Sequence, residues 1–234
     1  MSCEAARMSA RIAILALTAL MLIPGAVLAA EPTPAPTPAL LTTSEKKFVS
    51  DASATLNARF PTPAAAEKAG YVRYTNEDET GAISYANKHW NSTSEAAPSQ
   101  LWYDVHGRLL GADYSVLVAS HPAAPSLFGI TPSRFFEENA HIHYVVRNGD
   151  GSLTYSRAVG AQKYAAAGLD PMHPTAAGLV KVGAVASPDQ VATVFLFPNI
   201  WDVTVWVLPN PAGAFADANP NVKPSKPPSP TDMH

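Results

Sequence analysis

Polar and apolar positions alternate along most of this chain, and helical spacing is confined to its front end. Phe48, Ala52, Thr55, Leu56 and Phe60 fall near one face of a helix, which predicts an amphipathic segment capped by Thr43 or Ser44. "TPAAAEKAG" (62–70) predicts a second, short helix. There Thr62 is the cap, Pro63 sits where its missing N–H costs nothing, and Gly70 ends the helix. From Tyr71 onward a period of two takes over. "LWYDV" (101–105) and "RLLGADYSVLVA" (108–119) flank His106-Gly107, and "HIHYVV" (141–146) and "SLTYSRAV" (152–159) flank "NGDG". "QVATVFLF" (190–197) and "WDVTVWVL" (201–208) flank Pro198-Asn199. Three adjacent hairpins, with a short helix near 175–182 between them, predict an α+β, β-rich fold. Its expected core is an antiparallel sheet curved into a sandwich or partial barrel, with short helices at the N-terminal end. Long crossover helices are missing from the pattern, which disfavours a parallel βαβ architecture.

Alternation also assigns faces, because every second side chain of a strand points the same way. His141, His143 and Val145 share one face, as do Asp113 with Ser115, and Asp202, Thr204 and Trp206. Two readings of the histidines stand side by side. A solvent-facing strand carries polar residues at period two without further purpose. Alternatively, H-x-H on a rigid strand converges two imidazoles on a divalent transition metal, Zn or Cu. Such an ion needs three or four ligands, and His89 and Asp113 are the candidates to complete the set. Asp202, Thr204 and Trp206 are the candidate lining of a ligand pocket. His106 reads as a turn residue, His121 and His173 as loop residues before Pro, and His234 as part of a tail.

The chain ends change the picture of where this fold works. Arg7 and Arg11 precede the apolar run "IAILALTALMLI" (12–23), then Pro24-Gly25 and the small residues of "AVLAA". Residues 1–30 therefore predict a secretory signal cleaved near Ala29 or Ala30, and a periplasmic or secreted protein. This run of twelve residues, apolar except for Thr18, falls short of the roughly 20 that a spanning helix needs, so no stable membrane span is expected after cleavage. An uncleaved anchor is the alternative. A Pro-rich linker (31–40) follows, then one globular domain (41–218) and a disordered Pro-rich tail (219–234).

The one cysteine, Cys3, lies in the leader, so the mature chain is expected to lack disulfides, thiolate metal sites and cysteine nucleophiles. The whole chain carries 16 Lys and Arg against 19 Asp and Glu. Removing Arg7, Arg11 and Glu4 with the leader leaves 14 against 18, with no basic run, which argues against nucleic acid as a partner. No P-loop or G-x-G-x-x-G supports a nucleotide cofactor, and neither G-x-S-x-G nor H-E-x-x-H is present.

"AAAEKAGY", "HWN", "PSQLWYDVHGRLLGADYSV", "PSLFG" and "NPAGAFADANPNV" together cover most of the expected domain. On these motifs the chain resembles an uncharacterised family of exported bacterial proteins with a C-terminal N-P-x-G-x-F-x-x-x-N-P-x-V motif. The resemblance implies a shared fold and a common polar cluster, and no activity. By position, His89 matches the family's first His, Asp113 stands where Glu is usual, and Thr204 stands where a second His is expected. The leading expectation is an exported binding protein with a histidine-centred metal site, its partner a metal ion or an unknown small molecule. A metal-dependent enzyme using the same ligands, and a metal-free module binding a small molecule or protein, are the alternatives.

Overall fold

A computed structural model describes residues 40–226, so the predicted signal, most of the linker and the end of the predicted tail (227–234, with His234) lie outside the described residues. Helix α1 (Thr43–Arg59) opens the fold. Its cap is Thr42 rather than Thr43 or Ser44, because Glu45 returns a side-chain bond to the Thr42 backbone and closes a capping box. Phe48, Ala52 and Leu56 recur at four-residue spacing and bury one face of it. Helix α2 (Pro63–Lys68) has Thr62 as cap and Pro in its first turn, as its sequence predicts.

Nine strands follow: β1 (Val72–Arg73), β2 (Ile83–Ala86), β3 (Gln100–Tyr103), β4 (Leu109–Leu117), β5 (Phe136–Glu138), β6 (His141–Arg147), β7 (Leu153–Gly160), β8 (Val191–Phe197) and β9 (Ile200–Trp206). Helices α3 (Ala161–Ala166) and α4 (Ala176–Lys181) lie between β7 and β8. The strands form two antiparallel sheets among the described residues, a larger one ordered β1-β2-β3-β4-β9-β5 and a smaller one ordered β7-β6-β8. The fold is α+β and strand-rich, and neither sheet closes into a barrel.

Two of the three expected hairpins form, β3–β4 and β6–β7. The third does not. Pro198-Asn199 is a corner, across which β8 in the smaller sheet continues into β9 in the larger. Asn139-Ala140 makes the matching corner between β5 and β6, since β5 pairs with β9 and β6 with β8. A two-stranded ribbon thus bends from one sheet into the other, and Asn199 Nδ2 donates to Glu137 Oε1 at 3.0 Å across the bend.

Each sheet has two covered faces. On one side of the larger sheet, Leu101, Tyr103, Ala112, Tyr114, Val203 and Val205 pack against Phe48, Ala52 and Leu56 of α1. The smaller sheet lays Ile142, Tyr144 and Val159 against Tyr164 of α3 and Leu179 of α4. Between the sheets, Phe195 and Phe197 of β8 meet Ala86, Ile200, Tyr74 and Trp90. The fold also runs past the expected boundary at 218, since Asn219 and Val222 are buried.

Gly111 lets β4 approach β9 and the Trp102 ring closely. A Cβ there would stand 2.6 Å from the Val205 carbonyl oxygen and 3.2 Å from the Trp102 ring. Gly111→Ala is expected to cost on the order of 1–3 kcal/mol. A thermal melt should register that as a fall of several degrees.

Candidate functional site

The polar face predicted for β4 and β9 is present, but it is not wet. Pairing places Gln100 beside Asp113, Asp113 beside Thr204, and Ser115 beside Asp202. Asp113 is 4% exposed and Asp202 3%, because the larger sheet has its polar face turned toward the inside of the fold. Trp102 Nε1 donates to Asp113 Oδ2 at 2.9 Å, and the Thr204 hydroxyl donates to Asp113 Oδ1 at 3.1 Å. Asp202 accepts from the Ser115 hydroxyl at 2.8 Å, the Val203 amide at 3.1 Å and Gln100 Nε2 at 3.2 Å. The Tyr74 hydroxyl closes the chain by donating to Gln100 Oε1.

Hydrogen bonds satisfy both carboxyls, but their charge is not balanced: among the described residues no lysine or arginine forms an ion pair with either. Burial, and then the charge of Asp202, push the Asp113 carboxyl well above its ordinary value, and the Thr204 and Trp102 bonds only partly offset this. Burial raises Asp202 to about 7 against the opposing bonds from Ser115 and Val203. The Tyr74 phenol is also raised, by burial and then by Asp113. Both carboxyls are therefore biased toward the protonated form.

A cavity of about 200 Å³ opens on this network. Three aspartates line it, Asp78, Asp113 and Asp217, and Tyr74 and Trp102 supply aromatic walls. Thr80, Ser84 and Gln100 add hydroxyl and amide groups, and no lysine, arginine or histidine lines it among the described residues. Asp78 is fixed by its own loop, accepting from the Thr80 and Ala82 amides at 2.8 and 3.0 Å. Burial raises its carboxyl as well.

Asp217 reaches the cavity from "NPAGAFADANPNV" (210–222), the most distinctive motif in the chain. The motif folds as a clamp. Asn210 Nδ2 donates to the Ala218 carbonyl, and Asn219 Nδ2 donates to the Pro209 carbonyl. Each Asn also accepts from an amide two residues on, Ala212 or Asn221. Val222 anchors the far end against Ala82, Leu110 and Trp206.

Neither histidine of the H-x-H pair lines the cavity, but His143 touches Tyr74, which does. His141 and His143 face inward from β6, with Nε2 atoms 2.9 Å apart. His141 stacks on Phe197 at 4.6 Å between ring centroids, and His143 sets its edge to Tyr74 at the same distance. His141 Nδ1 is 2.7 Å from the Asn139 carbonyl, which can only accept, so that nitrogen carries the proton. The Nε2 of His141 then accepts from His143 Nε2–H, leaving His143 Nδ1 as a buried lone pair without a partner. Burial, and then the His141 ring, lower the pKa of His143 to about 3, so it is neutral.

The four predicted ligands do not assemble. The structure joins His141 to His143, puts Asp113 in the carboxyl network of the larger sheet, and leaves His89 exposed in the loop after β2. No three His, Asp or Glu side chains gather as a metal-holding group among the described residues. Of the predicted pocket residues, Asp202 and Thr204 lie behind the cavity and hold its wall through Gln100 and Asp113. Trp206 is core, 1% exposed, with Nε1 donating to the Ala216 carbonyl. Trp102 is the tryptophan that reaches the cavity.

Sequence pattern alone misses Tyr74, Gln100, Asp78 and Asp217. Gln100 and Trp102 alternate with Leu101 and Tyr103, so the two-residue period carried a signal for β3 that Pro98 and Ser99 obscured. Asp78 and Asp217 sit in loops, where period carries no signal. No family model matches this chain, and neither curated proteins nor solved structures contain a match to it.

Proposed function

We propose that this protein is an exported binding protein for a compact organic cation, an ammonium or guanidinium compound, held in the cavity of the larger sheet. One observation carries the reading: the cavity has three carboxyls and two aromatic walls, and no basic side chain lines it among the described residues. A ligand cation supplies the missing charge, and Trp102 and Tyr74 offer ring surface for cation–π contact. The volume of about 200 Å³ lies below the roughly 300–1,000 Å³ of drug-sized sites, so the ligand is small. The hydroxyls of Thr80 and Ser84 and the Gln100 amide give its polar groups partners.

Charge also dictates how binding depends on pH. Because burial and Asp202 favour the protonated form of Asp113, an entering cation competes with a proton there. Affinity is therefore expected to rise with pH across the neutral range, and proton release to accompany binding. Thermal melts at pH 8 with methylammonium, choline or guanidinium at 10 mM test the reading against a neutral isostere of choline. At least one cation should raise the melting temperature by about 2 °C or more, with no response to the isostere. A response to none of the cations, or an equal response to the isostere, contradicts the reading. Stabilisation by Ca²⁺ alone would replace the organic cation with an inorganic one.

A further inference from the structure

The cation cavity leaves the histidine pair without a role, and that pair has its own geometry. We propose that His141 and His143 form a two-nitrogen chelate for Cu²⁺, occupying adjacent corners of a square-planar site whose other corners take water or a small donor molecule. Two nitrogens each about 2.0–2.1 Å from an ion are about 2.8–3.0 Å apart at a right angle and about 3.3–3.4 Å apart at the tetrahedral angle. The Nε2 separation of 2.9 Å, held without an ion by the hydrogen bond between the rings, matches the right-angle span that an ion replacing that proton would need. Tetragonal geometry with nitrogen donors selects Cu²⁺, which also heads the affinity order of the divalent first-row metals. Zn²⁺ would force the rings apart.

The surroundings complete the case. A ligating histidine usually donates its other N–H to a carbonyl or carboxylate, and His141 Nδ1 does this with Asn139, 2.7 Å away. Glu138 Oε1 lies 3.9 Å from the same nitrogen and sets negative charge beside the His141 ring. The His141 side chain is 23% exposed, so the ion enters from that side. His143 explains its own orphaned nitrogen. When Nε2 binds the ion, the proton it carried moves to Nδ1, and the buried lone pair becomes a donor. No third protein ligand is needed, consistent with the lack of a three-residue group among the described residues.

Titration of the untagged protein with Cu²⁺, read by calorimetry and electron paramagnetic resonance, tests this. The expected result is one ion per chain, with a tetragonal signal split by two imidazole nitrogens. His141→Gln and His143→Gln should each weaken binding about 100-fold or more, since each removes half of the protein ligands. His89→Gln and His173→Gln alter exposed histidines and should change nothing. If His143→Gln does not fold, as judged by circular dichroism, His141→Gln at the rim of the site decides the question. Binding that survives His141→Gln, a signal without two-nitrogen splitting, or equal loss in His89→Gln would overturn the proposal. Tighter binding of Zn²⁺ than of Cu²⁺ would overturn the square-planar assignment.

Discussion

Asp113→Asn is expected to make the protein more stable at pH 8 while abolishing cation binding. Asparagine keeps one acceptor oxygen for Trp102 Nε1 and turns its amide toward the Thr204 hydroxyl, which then accepts instead of donating. The variant is neutral at every pH, so burying it requires neither a charge nor the uptake of a proton. The sign follows from linkage. A carboxyl whose folded pKa lies above its unfolded value binds more protons in the folded state, and stability then falls as pH rises through that window. For Asp113 the window opens near 3.8 and extends upward, and for Asp202 it closes near 7. The gain from Asp113→Asn should therefore be small at pH 4 and grow by up to about 1.4 kcal/mol per pH unit above it. Melting curves at pH 4, 6 and 8 check this, with a gain of about 3–10 °C expected at pH 8. A loss of stability at pH 8 would mean that Asp113 is a structural residue. Gain of stability with loss of binding is the signature of a group retained for function.

The opposite outcome is expected for Glu45, the other buried carboxylate that organises the fold. Its side chain is fully buried between α1 and the segment around residues 131–134. It accepts from the Thr42 amide at 2.9 Å, the Thr131 amide at 3.2 Å, the Thr131 hydroxyl and Arg134 Nε at 3.2 Å. Burial alone would raise its pKa, but the bonds from Arg134, Thr131 and Thr42 outweigh burial and bring it down to about 2. Glu45→Ala leaves the Arg134 guanidinium unpaired and three donors unmet, and is expected to cost about 3–5 kcal/mol. Urea unfolding at pH 7 checks the size, and a cost below about 1 kcal/mol would show that the network around Glu45 does not hold α1 in place. The native contribution is complete above the ordinary glutamate pKa of 4.5 and is lost as pH falls from there toward 2. His143, lowered to about 3, adds stability as pH rises from about 3 toward 6.5, so in that window it opposes the aspartate pair and adds to the acid loss from Glu45.

Local signals made much of this legible in the sequence. Phe48, Ala52 and Leu56 gave the first helix, and the alternation of Asp113 with Ser115 and of Asp202 with Thr204 placed four network residues on one face before any coordinates. The capping box was legible too: among Thr42, Thr43 and Ser44, only Thr42 has Glu three residues on. What local pattern could not say is what covers a face. Phe195 and Phe197 reach the inter-sheet space only because β8 pairs with β6, and no turn announces that pairing. Pro198-Asn199 reads as a hairpin turn when it is a corner, so β8 and β9 seemed to belong to one sheet. That misreading made the polar face look wet. It also hid the fact that Asp113 belongs to the cavity while His141 and His143 sit against the other sheet's aromatics. Trp206 and Trp102 differ for a similar reason: the clamp at 210–222 covers the first, and only tertiary folding brings it there.

If an organic cation replaces a proton on the carboxyl network behind Tyr74 and Trp102, binding must release that proton. Calorimetric titration at pH 7 with the most stabilising cation of the panel, run in phosphate and in Tris, detects the release, because the two buffers differ in the heat of taking up a proton. The expected result is saturable binding whose heat changes with the buffer by an amount matching about one proton released, and no binding by Asp113→Asn. Heat that is the same in both buffers, or equal affinity in Asp113→Asn, would rule out exchange of a proton for a cation at this site.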